Sequence, residues 1–169
     1  MGVLPAWAEL EPVIPQIAAT MRRYLTQISC VLRPGSVENA DQALRCFAAF
    51  LAETAPEVTS TAQVMRRHIE DYKPWLARRP GQNKPKVTTA TLAHRLGTLR
   101  MFFVRLGEWA WEEAPPRVPM FPGDLPRQDH PLPKAPGRRQ RRQTAARRPK
   151  RQAPAHNRLP AAVRSGFRF

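Results

Sequence analysis

Thr91, His94, Thr98 and Arg105 recur at helical spacing within TTATLAHRLGTLRMFFVRLGEWAW, residues 88–111. At about 100° per residue they share one helix face with Met101, with Ala90 and Gly97 beside them. No acid interrupts this face before Glu108. A solvated face usually carries Glu and Lys. Small side chains instead let a backbone approach another surface, while His, Thr and Arg donate hydrogen bonds. The chemistry predicted is docking onto an anionic partner; the plain alternative is a short-side-chain solvent face with no partner.

A second donor set, Asn39, Gln42 and Arg45, falls opposite the apolar stripe of an earlier segment, together with Cys46 and Ala49. Lys84 and Lys86 lie in the basic loop RRPGQNKPK, residues 78–86. Arg, Asn and Gln match purine edges, whereas Thr and Lys mostly position a phosphate backbone. Arg95 and Arg100 flank the apolar stripe. Either their stems cover core edges with the guanidinium on an acid or helix end, or they clamp phosphates. Nothing points to a cofactor, a metal or a small-molecule substrate. There is no GxGxxG, P-loop or HExxH pattern. His68, His94, His130 and His156 are scattered, and no nucleophilic triad emerges.

The elements that must carry these residues follow from periodicity. In the last segment Leu92, Leu96, Leu99, Phe103 and Leu106 form a stripe within about 40° of its centre. Thr88 or Thr89 is its predicted cap. A first helix is predicted over 12–32, patterned by Val13, Ile14, Ile17, Met21, Tyr24, Leu25 and Ile28 and ended by the RPGS turn. Ser36 is the expected cap of a second helix to Glu53, with Val37, Ala40, Leu44, Phe47, Ala48 and Leu51 inward. Thr61 is the expected cap of a third, 62–78, with Val64, Ile69, Tyr72, Trp75 and Leu76. No segment alternates with period two, so the fold class is all-α, a compact four-helix bundle over 12–114 after a lead-in of 1–11.

From Pro115 the pattern breaks. Residues 115–136 hold eight prolines in 22 positions and read as an extended linker. Residues 137–169 carry 11 of the 28 Lys and Arg and no Asp or Glu. They hold too little apolar surface to fold alone, so a disordered basic tail is expected. The net charge of +15 comes mostly from this tail, and a charge of that size favours nucleic acid or an anionic surface. No window reaches 18 apolar residues, and the start is no convincing signal peptide. Cys30 and Cys46 are isolated thiols without zinc spacing, which fits a reducing, cytoplasmic setting.

The order of HIEDYKPWLARRPGQNKPKVTTATLAHRLGTLRMFFVRL (68–106) and HPLPKAP (130–136) resembles the N-terminal core-binding domain of tyrosine recombinases, the phage-integrase family. That family's T-x-x-x-x-R-L-x-x-L-R-x-F-F pattern is matched by Thr91 (one position shifted), Arg95, Leu96, Leu99, Arg100, Phe102 and Phe103. Asn39, Leu44 and Phe47 also sit at family-like places, although Ala40 stands where an aromatic residue is common. The resemblance covers about residues 10–136. It implies a SAM-like helical bundle that clamps double-stranded DNA, with its second and fourth helices toward the major groove. It implies Asn39, Gln42, Arg45, Lys84, Lys86, Thr91, His94, Arg95, Thr98, Arg100 and Arg105 as DNA contacts, and other recombinase protomers as partners.

The family's strand exchange uses a tyrosine nucleophile on a second domain. The only tyrosines, Tyr24 and Tyr72, lie on apolar helix faces, and no family-like catalytic arginine motif follows residue 136. The expectation is a non-enzymatic, truncated recombinase fragment. Its tail is either the product of a shifted reading frame in a GC-rich gene or a genuine basic arm. Two other functions stay open. One is a protein-interaction module using Phe102, Trp109 and Trp111 as exposed contacts, although Trp75, Trp109 and Trp111 also fit core or linker packing. The other is an RNA-binding protein acting through its tail.

Overall fold

A computed structural model describes residues 4–80 and 86–126. Lys84, the expected linker beyond residue 126 and the basic tail lie outside the described residues. Those described are all-α: α1 (Trp7–Leu10), α2 (Pro15–Ser29), α3 (Pro34–Thr54), α4 (Arg66–Arg78) and α5 (Thr89–Glu108), with 3-10 turns at Thr61–Gln63 and Pro122–Asp124. No strand occurs among them.

The helix boundaries follow local chemistry. The predicted first helix starts later, at Pro15, whose fixed φ suits the first helical turn. The predicted lead-in supplies the single turn of α1. α3 begins at Pro34, so Ser36 lies inside its first turn and is not its cap. Thr61 does not cap α4. Its buried hydroxyl donates to the Glu113 carbonyl at 2.7 Å, while Ser60 caps the 3-10 turn. His68 does the capping at α4, its Nδ1 accepting the Met65 N–H at 3.0 Å. Burial holds the His68 imidazole below its usual pKa, and neighbouring Arg67 adds to the effect. Thr88 caps α5 as predicted, accepting the Thr91 N–H at 3.2 Å.

α3 is the centre of the bundle and packs on α1, α2, α4 and α5. Its core therefore wraps well past the predicted stripe: Cys46 and Ala49, expected on a polar face, are buried with Leu44, Phe47, Ala48 and Leu51. Phe47 meets Phe50, Tyr72 and Phe103. Tyr24 of α2 stands edge-on to Phe102 of α5, with ring centroids 5.0 Å apart. Phe102 is fully buried, which rules out its expected role as an exposed contact. Trp109 and Trp111 are half-buried against the core, each under a guanidinium, Arg105 on one and Arg23 on the other.

Residues 115–126 are not a free spacer. Met120 is buried, Val118 and Leu125 pack on the core, and Leu125 lies against Gly97 of α5. Asp124 ties this strap to α4. Its carboxylate accepts from Arg66 Nη2 at 2.7 Å, Lys73 Nζ at 3.1 Å and the Phe121 N–H at 2.7 Å. Arg66, then its own backbone bond and Lys73, hold the Asp124 carboxyl far below the usual carboxylate range.

Candidate nucleic-acid interface

The turn between α2 and α3 lies against the middle of α5 and leaves a groove of about 400 Å³. One wall is Tyr24, Ile28, Leu32, Ser36, Asn39 and Ala40; the other is Ala93, His94, Gly97, Thr98, Met101 and Arg105. Helical spacing puts the α5 residues on one face, and Asn39 projects from the first turns of α3 toward the same space. Four of the predicted contacts, Asn39, His94, Thr98 and Arg105, thus meet across one groove. No Asp or Glu lines it.

The buried part of the lining is Tyr24, Ile28 and Ala40, while two apolar side chains, Leu32 and Met101, stand exposed beside the donors. Leu32 is 39% exposed and Met101 40%. Arg105 extends along the rim between two aromatic groups. Its guanidinium stands beside the Tyr24 hydroxyl and 5.9 Å from the Trp109 ring centroid. Burial raises the Tyr24 phenol above its usual pKa, and Arg105 pulls the other way.

The other predicted residues divide. Arg45 is not a free donor: Nε pairs with Asp41 at 2.8 Å and Nη1 donates to the Pro5 carbonyl at 3.4 Å. Trp7 Nε1 donates to the same Asp41 at 2.7 Å. The segment around α1 therefore occupies the α3 face that Arg45 was expected to offer, leaving Gln42 half-buried nearby. Thr91 is tied to the α5 cap, its hydroxyl 2.9 Å from that of Thr88. Lys86 is exposed just before buried Val87, whose N–H reaches back to the Arg79 carbonyl at 3.1 Å.

Arg95 and Arg100 meet neither of their two expected partners, an acid or a helix end, among the described residues. Arg95 Nη1 instead donates to Cys46 Sγ at 3.4 Å. The Nε of Arg100 is buried and has no hydrogen-bond partner among the described residues. By contrast, Arg22, Arg23, Arg45, Arg66, Lys73 and Arg79 all pair with carboxylates. Among the described residues no arginine of α5 forms an ion pair, so its positive charge is left uncompensated locally.

Two features were missed by sequence reasoning. Ile28 belonged to the apolar pattern of one helix and Leu32 stood at its predicted end, and nothing local shows that they line a groove; that follows from how the α2–α3 turn meets α5. The sequence does give one signal, VLRPGS, which ends an apolar run in an exposed turn without a polar residue before Arg33. Val31 there is 77% exposed. Among the described residues no group of His, Cys, Asp and Glu is arranged to hold a metal ion, and no helix is long and apolar enough to cross a membrane. Comparison with known protein families, with characterised proteins and with solved structures finds no match to this chain.

Proposed function

We propose that this bundle is a duplex-DNA docking domain of the kind that tyrosine recombinases carry ahead of their catalytic domain. The observation that carries this reading is the α5 face. His94, Thr98 and Arg105 join Asn39 at one groove without acids, and among the described residues the α5 arginines form no ion pair. Held donors with free charge suit phosphates and base edges. The basic tail would add salt-sensitive, sequence-independent attraction to the same polyanion.

The test is duplex binding by residues 1–136, followed by fluorescence anisotropy across a salt series. The expected result is measurable affinity that falls steeply with salt. His94→Ala with Arg105→Ala weakens it, and the salt slope drops by about 0.9 for each phosphate that is no longer neutralised. Affinity and slope unchanged in that double variant refute the α5 face as the docking surface.

A second reading, a protein-contact module, is favoured by the exposed apolar side chains Val31, Leu32 and Met101. It predicts that residues 1–136 bind no duplex while an intact recombinase protomer binds them.

A further inference from the structure

The composition of the groove narrows what kind of duplex edge would fit it. A surface that only held phosphates would need charge and hydrogen-bond donors. This groove has those, in Asn39, His94, Thr98 and Arg105, but exposed apolar side chains stand beside them. Met101 projects from α5, and Leu32 faces it from the turn after α2, each about two-fifths exposed. Ala93 and Gly97 line the same α5 wall with little side-chain bulk. Covering such exposed side chains is favourable in proportion to the apolar area removed from water. The lining holds no carboxylate, and its one arginine, Arg105, forms no ion pair among the described residues; that charge favours an anionic occupant over an apolar protein helix.

One duplex feature satisfies both demands. The major groove of B-DNA carries a single apolar group, the thymine C5-methyl, next to the N6 and N7 of the paired adenine. Asparagine matches that adenine edge, and aliphatic side chains match the methyl. Resting on the DNA reading above, we infer that Met101 and Leu32 form a recognition surface for thymine methyl groups, with Asn39 at the adjoining adenine edge. The site therefore selects A·T pairs at this position by their methyl, and would accept a cytosine methylated at C5 for the same reason.

The experiment separates the methyl from the rest of the base pair. The full chain is titrated with four duplex polymers, poly(dA-dT), poly(dA-dU), poly(dG-dC) and poly(dG-m5dC), at salt high enough to weaken tail binding. The methionine methyl signals of the same protein are followed by NMR. Each methyl fully buried should tighten binding about fourfold. The dT polymer should therefore outbind the dU polymer, and the m5dC polymer the dC polymer. The Met101 signal should move on adding poly(dA-dT), while exposed Met65, which lies outside the groove, should not. Met101→Ser should lower dT affinity to the dU value.

Binding of all four polymers without a methyl preference overturns the methyl inference and leaves the DNA reading standing. A methyl preference with an unmoved Met101 signal also overturns it, since the discrimination would then arise elsewhere. Binding to none of the four overturns the DNA reading and this inference together.

Discussion

Asp124→Asn tests whether the 115–126 strap is held electrostatically. The native carboxylate accepts both guanidinium nitrogens of Arg66, the Lys73 ammonium and the Phe121 N–H, and its side chain is only 5% exposed. Asparagine keeps the shape and one acceptor for Phe121 but removes the charge. A hydrogen bond to a charged group is worth about 1.5–3 kcal/mol. The loss is discounted here because Arg66 and Lys73 are 38% and 28% exposed and keep Glu70 as a partner. About 2 kcal/mol is the expected cost. For a bundle of this size that lowers Tm by about 8 °C, measurable by calorimetry and matched by a lower urea midpoint at unchanged slope. The pH dependence fixes the cause. The folded carboxyl titrates below its unfolded value of about 3.9, so its stabilisation is complete above that value. It is lost as pH falls toward the folded pKa. The gap between wild type and variant should therefore shrink from pH 5 to pH 2. A variant as stable as wild type at pH 7, or a gap of constant size down to pH 2, refutes an ionic latch.

Two further substitutions test the interior and a helix end. Tyr72 is fully buried, and its hydroxyl has no hydrogen-bond partner among the described residues. Tyr72→Phe should thus leave stability unchanged or raise it by about 1 kcal/mol; a loss above about 1 kcal/mol in urea unfolding would mean the hydroxyl is satisfied after all. α5 ends with Trp111 N–H reaching the Leu106 carbonyl at 3.1 Å and Ala110 at φ 52°, a left-handed position that favours glycine. Ala110→Gly should stabilise by about 0.5–1 kcal/mol, read as a higher Tm. A lower Tm would show that the Ala110 methyl packs usefully there.

The helices were legible because periodicity reports the core directly. Leu96, Leu99, Phe103 and Leu106 are buried as their spacing predicts, and the Thr88 cap follows from residue type. What failed is tertiary. α3 reads as amphipathic on local grounds, yet four elements pack on it, so Cys46 and Ala49 are interior although their spacing places them outside. Arg45 reads as a free donor although Asp41, one turn earlier, is its i,i+4 partner; what spacing cannot show is the Pro5 carbonyl it also meets, 40 residues away. The prolines of 115–126 look like a spacer because the ion pairs that bind the strap lie more than 50 residues away, at Arg66 and Lys73. The α5 donors were legible as a set, since one helix face needs no long-range information; the apolar side chains that meet them across the groove were not.

How the arginines are held explains why one face keeps its charge. Arg22, Arg23, Arg45, Arg66 and Arg79 are each oriented by a carboxylate, which fixes the side chain but cancels its field at a distance. Arg95 is held by a neutral thiol instead, and Arg105 stands near the Tyr24 phenol and 5.9 Å from the Trp109 ring centroid. A neutral partner lowers the rotamer freedom of a guanidinium while leaving its full charge available to an incoming anion. Both devices cost side-chain entropy on folding, but only the second leaves the charge uncancelled for binding. On α2 an added anion would compete with the acids already in place on Arg22 and Arg23. On α4 it would meet such acids at Arg66, while Arg67 and Arg78 form no ion pair among the described residues; α5 is set apart by the groove that gathers its donors as well as by its charge.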